Sequence, residues 1–337
     1  MPKRKAAETT TAVSAFEGMH VLATSQFDDA MLATLFEAAK QMKHMVATKG
    51  KSDLLRGKIL ANVFYEPSTR TSCSFEAAMK RLGGDVMSIS ASTSSAKKGE
   101  TIEDTIRCLQ CYCDVLVLRH PVKGTAAAAA AAASKPVLNA GDGVGEHPTQ
   151  ALLDVFTILD AHPVARKASS NGGVDLSKLT VTLLGDLKHG RTVHSIAHLC
   201  AKLQNPPTLH FCAPAALAMP VAITEELARN HVKVECSERL DEALPVSDVL
   251  YVTRVQKERF ASESDYEAVA GSYVVNAAAM TMAKPDMRVL HPLPRVDEIA
   301  TEVDSDPRAT YFEQMENGMY VRMALLALVL GADINAL

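Results

Sequence analysis

Tryptophan is absent from this 337-residue chain, and aromatic residues make up only 5% of it. Stacking platforms for single-stranded nucleic acid are therefore poorly supplied. Positive charge is not in excess either: 35 Lys and Arg stand against 39 Asp and Glu, a formal net charge of −4. Bulk charge argues against nucleic acid as the main partner, and any anion site must be built locally from a few converging cations. Long apolar runs are also missing. The stretch from Met323 to Gly331 is too short to span a bilayer and no secretory leader is recognised, so no membrane association is expected. The seven cysteines are an odd number. Cys108, Cys111 and Cys113 sit close together, but no second ligand pair follows at metal-binding spacing. They read as buried apolar thiols in a helix running into a strand, in a reducing, cytoplasmic compartment.

What is present is ordinary for a globular protein, with 47% hydrophobic and 22% charged residues. The length exceeds one compact core and suggests two domains. Residues 1 to about 15, with the basic cluster Lys3-Arg4-Lys5, read as a disordered tail or linker. From Phe16 the pattern alternates between helix and strand. Asp28-Asp29 opens a helix with Leu32, Leu35, Phe36 and Ala39 on one face. A strand at Lys58–Tyr65 leads to a helix capped by Ser68 and stopped at Gly83-Gly84. A strand (85–90), a polar loop (92–99), a helix (100–112) and a strand (115–118) follow. An alanine run (126–133), which suits helix but specifies no face, precedes a strand at 136–139. After a Ser/Asn/Gly-rich loop at 168–173, strands at 179–184, 209–212, 232–236, 249–252 and 288–290 alternate with helices. A long apolar helix, 311–330, closes the chain. Repeated βα units imply parallel sheets covered by helices.

Six polar motifs lie at or just past the carboxyl ends of these strands, where open α/β sheets bind ligands. They are Phe64-Tyr65-Glu66-Pro67-Ser68-Thr69-Arg70-Thr71, Arg119-His120-Pro121, the segment Gly141–Gln150, Gly185–His194, Thr253–Arg259, and His291-Pro292-Leu293-Pro294-Arg295. The first offers helix N–H groups, hydroxyls and a guanidinium, a set that suits a phosphate. In the fourth, two glycines are spaced wrongly for a dinucleotide fingerprint, so Arg191 at a helix start reads better as a carboxylate or phosphate clamp. Taken singly, each motif is more simply a capped turn.

Together, and in this order, the six motifs resemble the aspartate transcarbamoylases across nearly all of Phe16–Leu330. Residues 64–84, 141–154 and 186–195 are particularly similar to the version within eukaryotic multifunctional pyrimidine-synthesis proteins. Related ornithine transcarbamoylases carry a cysteine in the final turn, where this chain has Pro292. The resemblance implies transfer of the carbamoyl group from carbamoyl phosphate to L-aspartate in de novo pyrimidine biosynthesis. It implies two α/β domains linked by helices: residues 16–150, completed by 311–337, for carbamoyl phosphate, and 151–310 for aspartate. Ser68, Thr69, Arg70 and Thr71, helped by Arg119, would hold the phosphate. Thr71, Arg119 and His147 would face the carbamoyl oxygen. Gln150 and the carbonyls of Pro292 and Leu293 would receive the carbamoyl NH₂. Arg191, Arg254 and Gln256 would hold the aspartate carboxylates, with Lys98 and Leu293 nearby. Ser94 and Lys98 would enter from a neighbouring subunit of a homotrimer with shared active sites. Glu66 would latch the domains by pairing with Arg191 or Arg259. Fusion to, or association with, other pyrimidine-pathway enzymes is a further implication.

The residue types suit that chemistry. The substrate's amine is the nucleophile and the leaving phosphate can take its proton, so neither a protein nucleophile nor a dedicated base is needed. Positioning alone can supply roughly 7–11 kcal/mol of such a barrier. No metal and no organic cofactor are expected. The rivals are a transcarbamoylase with another amine acceptor, a silent scaffold domain of a multienzyme polypeptide, and, opposed by the spacing after Gly185, a nucleotide-binding dehydrogenase. The alanine run departs from the family's usual mixed segment.

Overall fold

The structure, a computed structural model, describes residues 15–90, 99–171, 173–255, 262–267, 269 and 271–337. The N-terminal tail, the loop containing Ser94 and Lys98, and Gln256 and Arg259 lie outside the described residues. The chain divides into two compact units: unit 1 comprises 1–152 with 316–337, and unit 2 comprises 153–315.

Unit 1 contains α1 (Asp29–Lys49), β1 (Ile59–Phe64), α2 (Thr69–Arg81), β2 (Asp85–Ser90), α3 (Ile102–Leu109), β3 (Val115–His120), α4 (Thr125–Ala132) and β4 (Val137–Asp142). The strands form a parallel sheet in the order β2-β1-β3-β4. Asp28 caps α1 by accepting from the Met31 N–H at 2.8 Å, and Leu32, Leu35, Phe36 and Ala39 are all buried as the periodicity requires. The central strands β1 and β3 are largely apolar and buried on both faces, as sheets covered by crossover helices must be. In α4 the alanines acquire a face: Ala126, Ala129 and Ala130 are buried, at helical spacing.

The chain leaves unit 1 within α5 (Pro148–Ala161) and returns to it within α12 (Tyr311–Val329). Between them lie α6 (Pro163–Ala168), β5 (Thr180–Leu184), α7 (Arg191–Cys200), β6 (Thr208–Cys212), α8 (Val221–Arg229), β7 (Val234–Ser237), α9 (Leu240–Ala243), β8 (Val249–Val252), α10 (Glu263–Glu267), α11 (Ala277–Met282) and β9 (Arg288–Leu290). These five strands form a second parallel sheet, β7-β6-β5-β8-β9. No helix among the described residues is long and apolar enough to cross a membrane.

Two expectations need correction. Cys108 and Cys111 are exposed; only Cys113 of the three is buried, and that burial pushes its thiol up to about 11. The reason is local: the helix ends at Leu109, so Cys111 lies in the turn beyond it. Ser68 does occupy the N-cap position of α2, but its side chain makes no capping hydrogen bond. Helix α5 was not foreseen; it is buried on nearly every side, its polar residues Thr149, Gln150, Asp154 and Thr157 included.

Candidate active site

In unit 1 the neighbouring strands β1, β3 and β4 end on one edge, and α2 and α5 begin there. A helix start presents unsatisfied N–H groups and the positive end of the helix dipole. Around the start of α2, Ser68 is half-buried, Thr69 and Arg70 are exposed and Thr71 is buried. Arg119, the last residue but one of β3, is only 7% exposed. Its Nη1 donates to the Ala140 carbonyl at 3.2 Å and its Nη2 lies 3.2 Å from the Glu66 carboxylate. Its buried Nε has no hydrogen-bond partner among the described residues. Burial pulls the Arg119 pKa below its ordinary value, against the opposing pull of Glu66. Arg70 is lowered too, first by desolvation of its head and then by repulsion from Arg119. An anion placed there would relieve both effects. His147 and Gln150, at the start of α5, are buried. Asn139 pins the preceding loop: its Nδ2 donates to the carbonyls of Leu22 at 2.9 Å and Glu146 at 3.3 Å, and its Oδ1 accepts the Gly141 N–H at 2.8 Å. Glu66, expected as a latch toward Arg191 or Arg259 on domain closure, lies 3.2 Å from Arg119 inside unit 1.

The sequence reading missed Arg322 on α12. It is 3% exposed, donates to Ser74 Oγ on α2 at 2.9 Å and reaches Thr149 Oγ1 on α5 at 3.5 Å. Its guanidinium lies 5.1 Å from the centre of the Phe75 ring. One cation thus ties the second turn of α2 to the first turn of α5, the two helices that open onto the site edge. An arginine inside the apolar second half of that helix was the signal available.

Unit 2 repeats the arrangement with β5, β8 and β9. Arg191 is the first residue of α7 and is half-buried. The loop before it needs its two glycines: a Cβ at Gly185, where φ is +110°, would meet the Thr253 carbonyl at 2.4 Å, and one at Gly190 would meet the Asp186 carbonyl at 2.4 Å. Buried Asp186 accepts the His189 N–H at 2.9 Å and lies 3.2 Å from His189 Nδ1. Arg254, half-buried, follows β8, where Thr253 bonds to the Leu184 carbonyl through its N–H (2.9 Å) and hydroxyl (3.1 Å). Pro292 and Leu293 follow β9, half-buried, with a cis bond between Leu293 and Pro294.

Beneath these groups runs a buried network that sequence reasoning did not identify. Asp154 accepts from the Tyr251 hydroxyl at 2.8 Å and from Gln314 Nε2 at 2.6 Å. Gln314 Oε1 in turn accepts the His291 N–H at 2.9 Å. Burial first, and then the Asp154 charge, raise the Tyr251 pKa well above its ordinary value, so the phenol stays a donor. Such fully satisfied networks hold a framework rigid.

Cations and helix starts at the carboxyl edges of two parallel sheets define an α/β protein built to hold small anions. The chain belongs to the aspartate/ornithine carbamoyltransferase family. Residues 19–160 match that family's carbamoyl-P binding domain and residues 177–329 its Asp/Orn binding domain. Among curated relatives, it is 51% identical over 94% of its length to the multifunctional protein pyr1-3 of Dictyostelium discoideum, of which it spans only 14%. It is 47% identical over 94% of its length to an aspartate carbamoyltransferase catalytic subunit of Thermococcus gammatolerans, covering 99% of that protein. Among solved structures, aspartate transcarbamoylase of Trypanosoma cruzi in complex with carbamoyl phosphate and aspartate matches with a TM-score of 0.85 and 43% identity, over 94% of this chain and 98% of that one.

Proposed function

We propose that this chain catalyses transfer of the carbamoyl group from carbamoyl phosphate to the amine of L-aspartate, giving N-carbamoyl-L-aspartate and phosphate, in pyrimidine biosynthesis. The observation that carries the reading is the buried Arg119, whose Nε has no hydrogen-bond partner among the described residues, at the edge where two helices of unit 1 begin. In this reading Ser68, Thr69, Arg70 and Thr71 hold the phosphate with Arg119. The aspartate amine attacks the carbamoyl carbon, and charge grows on the carbamoyl oxygen, where Thr71, Arg119 and His147 stabilise it. The bond to the phosphate oxygen then breaks, and the phosphate leaves with the amine's proton. Gln150 and the carbonyls of Pro292 and Leu293 receive the carbamoyl NH₂. Arg191, Arg254, Gln256 and Lys98 hold the aspartate carboxylates, with Leu293 alongside.

The reaction needs no electron sink and no metal-activated water, so neither a metal nor an organic cofactor is invoked. The further parts of the reading are a cytoplasmic homotrimer in which Ser94 and Lys98 reach a neighbour's site, domain closure involving Glu66 and Arg259, and association with other enzymes of the same pathway. The test is direct: incubate the protein with carbamoyl phosphate, with and without aspartate, and measure carbamoylated product and phosphate. One phosphate per carbamoyl-aspartate is expected. Phosphate release independent of aspartate would overturn the reading.

A further inference from the structure

The turn after β9 is organised by a buried histidine. His291 is 1% exposed. Its Nδ1 accepts the Leu293 N–H at 2.7 Å, and its Nε2 lies 2.7 Å from Glu298 Oε1. The other carboxylate oxygen of Glu298 accepts the N–H groups of Val296 at 3.1 Å and Asp297 at 3.2 Å. A ring nitrogen that accepts an N–H carries no proton, so the proton sits on Nε2 and is donated to Glu298. The segment 291–298 is therefore closed on itself through one imidazole and one carboxylate.

The grip on Leu293 has a geometric consequence. The Leu293 N–H and the Pro292 carbonyl belong to the same peptide plane, and in a trans peptide they point in opposite directions. Holding the N–H against the ring aims the Pro292 oxygen directly away from it. Leu293 itself sits at φ +52°, a region that residues with a side chain rarely adopt. That conformation persists only where its surroundings enforce it.

We propose that His291, held in its Nε2–H tautomer by Glu298, is a positioning residue that aims the Pro292 carbonyl at the carbamoyl NH₂. The inference rests on the proposed role of the 292–293 carbonyls as acceptors for that group. It makes His291 a determinant of selectivity for a carbamoyl over an acyl phosphate, since only the carbamoyl group has N–H bonds to donate.

The test compares binding of carbamoyl phosphate, acetyl phosphate and inorganic phosphate to the wild-type protein and to His291→Asn, His291→Gln and His291→Ala, with a thermal melt for each. Acetyl phosphate replaces the NH₂ with a methyl. Asn at this position can accept the N–H two residues on through its Oδ1, as in an Asx-turn, whereas the longer Gln reaches toward Glu298. The wild type is expected to prefer carbamoyl over acetyl phosphate. Loss of a hydrogen bond to the substrate should reduce that preference about tenfold in His291→Ala and His291→Gln, and His291→Asn should retain it. Inorganic phosphate should bind all four equally. Should His291→Ala fail to fold, the contrast between Asn and Gln carries the same information. A preference that survives in His291→Gln, or is lost equally in Asn and Gln, overturns the positioning role. No preference in the wild type would instead remove the acceptor carbonyls themselves, and the inference with them.

Discussion

At the residue scale the proposed site separates groups read as facing a ligand from groups that hold them there. Arg70 is exposed, so its loss should cost function far more than folding. Arg70→Ala is expected to lower kcat/KM by a factor of about 100 or more, as removal of a charge-stabilising donor typically does, with the melting temperature within a few degrees of wild type. A near-normal rate would take Arg70 out of the site, and a collapsed melt would make it structural. Glu298 belongs to the second group. Burial opposes its ionisation, but the hydrogen bond from His291 and backbone N–H groups outweighs this, and its carboxyl lies below the ordinary value of 4.5. A depressed carboxyl contributes stability that is fully present above that value and is lost as pH falls through the lower folded one. Stability measured by denaturant titration should therefore decline below about pH 4.5. Glu298→Gln should flatten that acid limb while lowering stability near neutrality. An unchanged limb would contradict the assignment.

At the element scale, inner strands such as β3 and β8 were legible because parallel strands buried on both faces are largely apolar runs. The site edge was legible because polar clusters interrupt those runs at the right ends. The unforeseen features are those whose signal lies in three dimensions. Helix α5 buries its polar residues Thr149, Gln150, Asp154 and Thr157 along with its apolar ones. Arg322, Asp154 and Gln314 are single polar residues whose partners lie 248, 97 and 160 positions away in sequence. The alanine run shows the same limit, since identical residues announce a helix but not which of them is buried. The fold resolves this in a testable way. Ala127 is exposed and Ala129 fully buried. Ala127→Lys should change stability by no more than about 0.5 kcal/mol, whereas Ala129→Lys should cost roughly 3 kcal/mol or more by burying an unpaired charge. Equal effects in chemical denaturation would mean that the helix faces the other way.

At the scale of the whole molecule, the two units carry the same device, a parallel sheet whose carboxyl edge gathers cations. Their proposed assembly as a trimer with shared sites has its own test. Arg70→Ala and Lys98→Ala variants, each inactive, are mixed equally under conditions that exchange subunits. About three quarters of random trimers would be hybrids, each with one site free of both changes, so activity should return to about a quarter of wild type. Failure to recover, with exchange shown independently, would rule out sharing. The central claim concerns the acceptor, since the family includes enzymes of both aspartate and ornithine. Arg191 and Arg254 suit carboxylates and would repel the cationic side chain of ornithine. The decisive measurement offers ¹³C-labelled carbamoyl phosphate to the protein with equal concentrations of aspartate and ornithine and identifies the labelled product by mass. Labelled N-carbamoyl-aspartate is expected almost exclusively. Comparable labelling of ornithine would contradict the account.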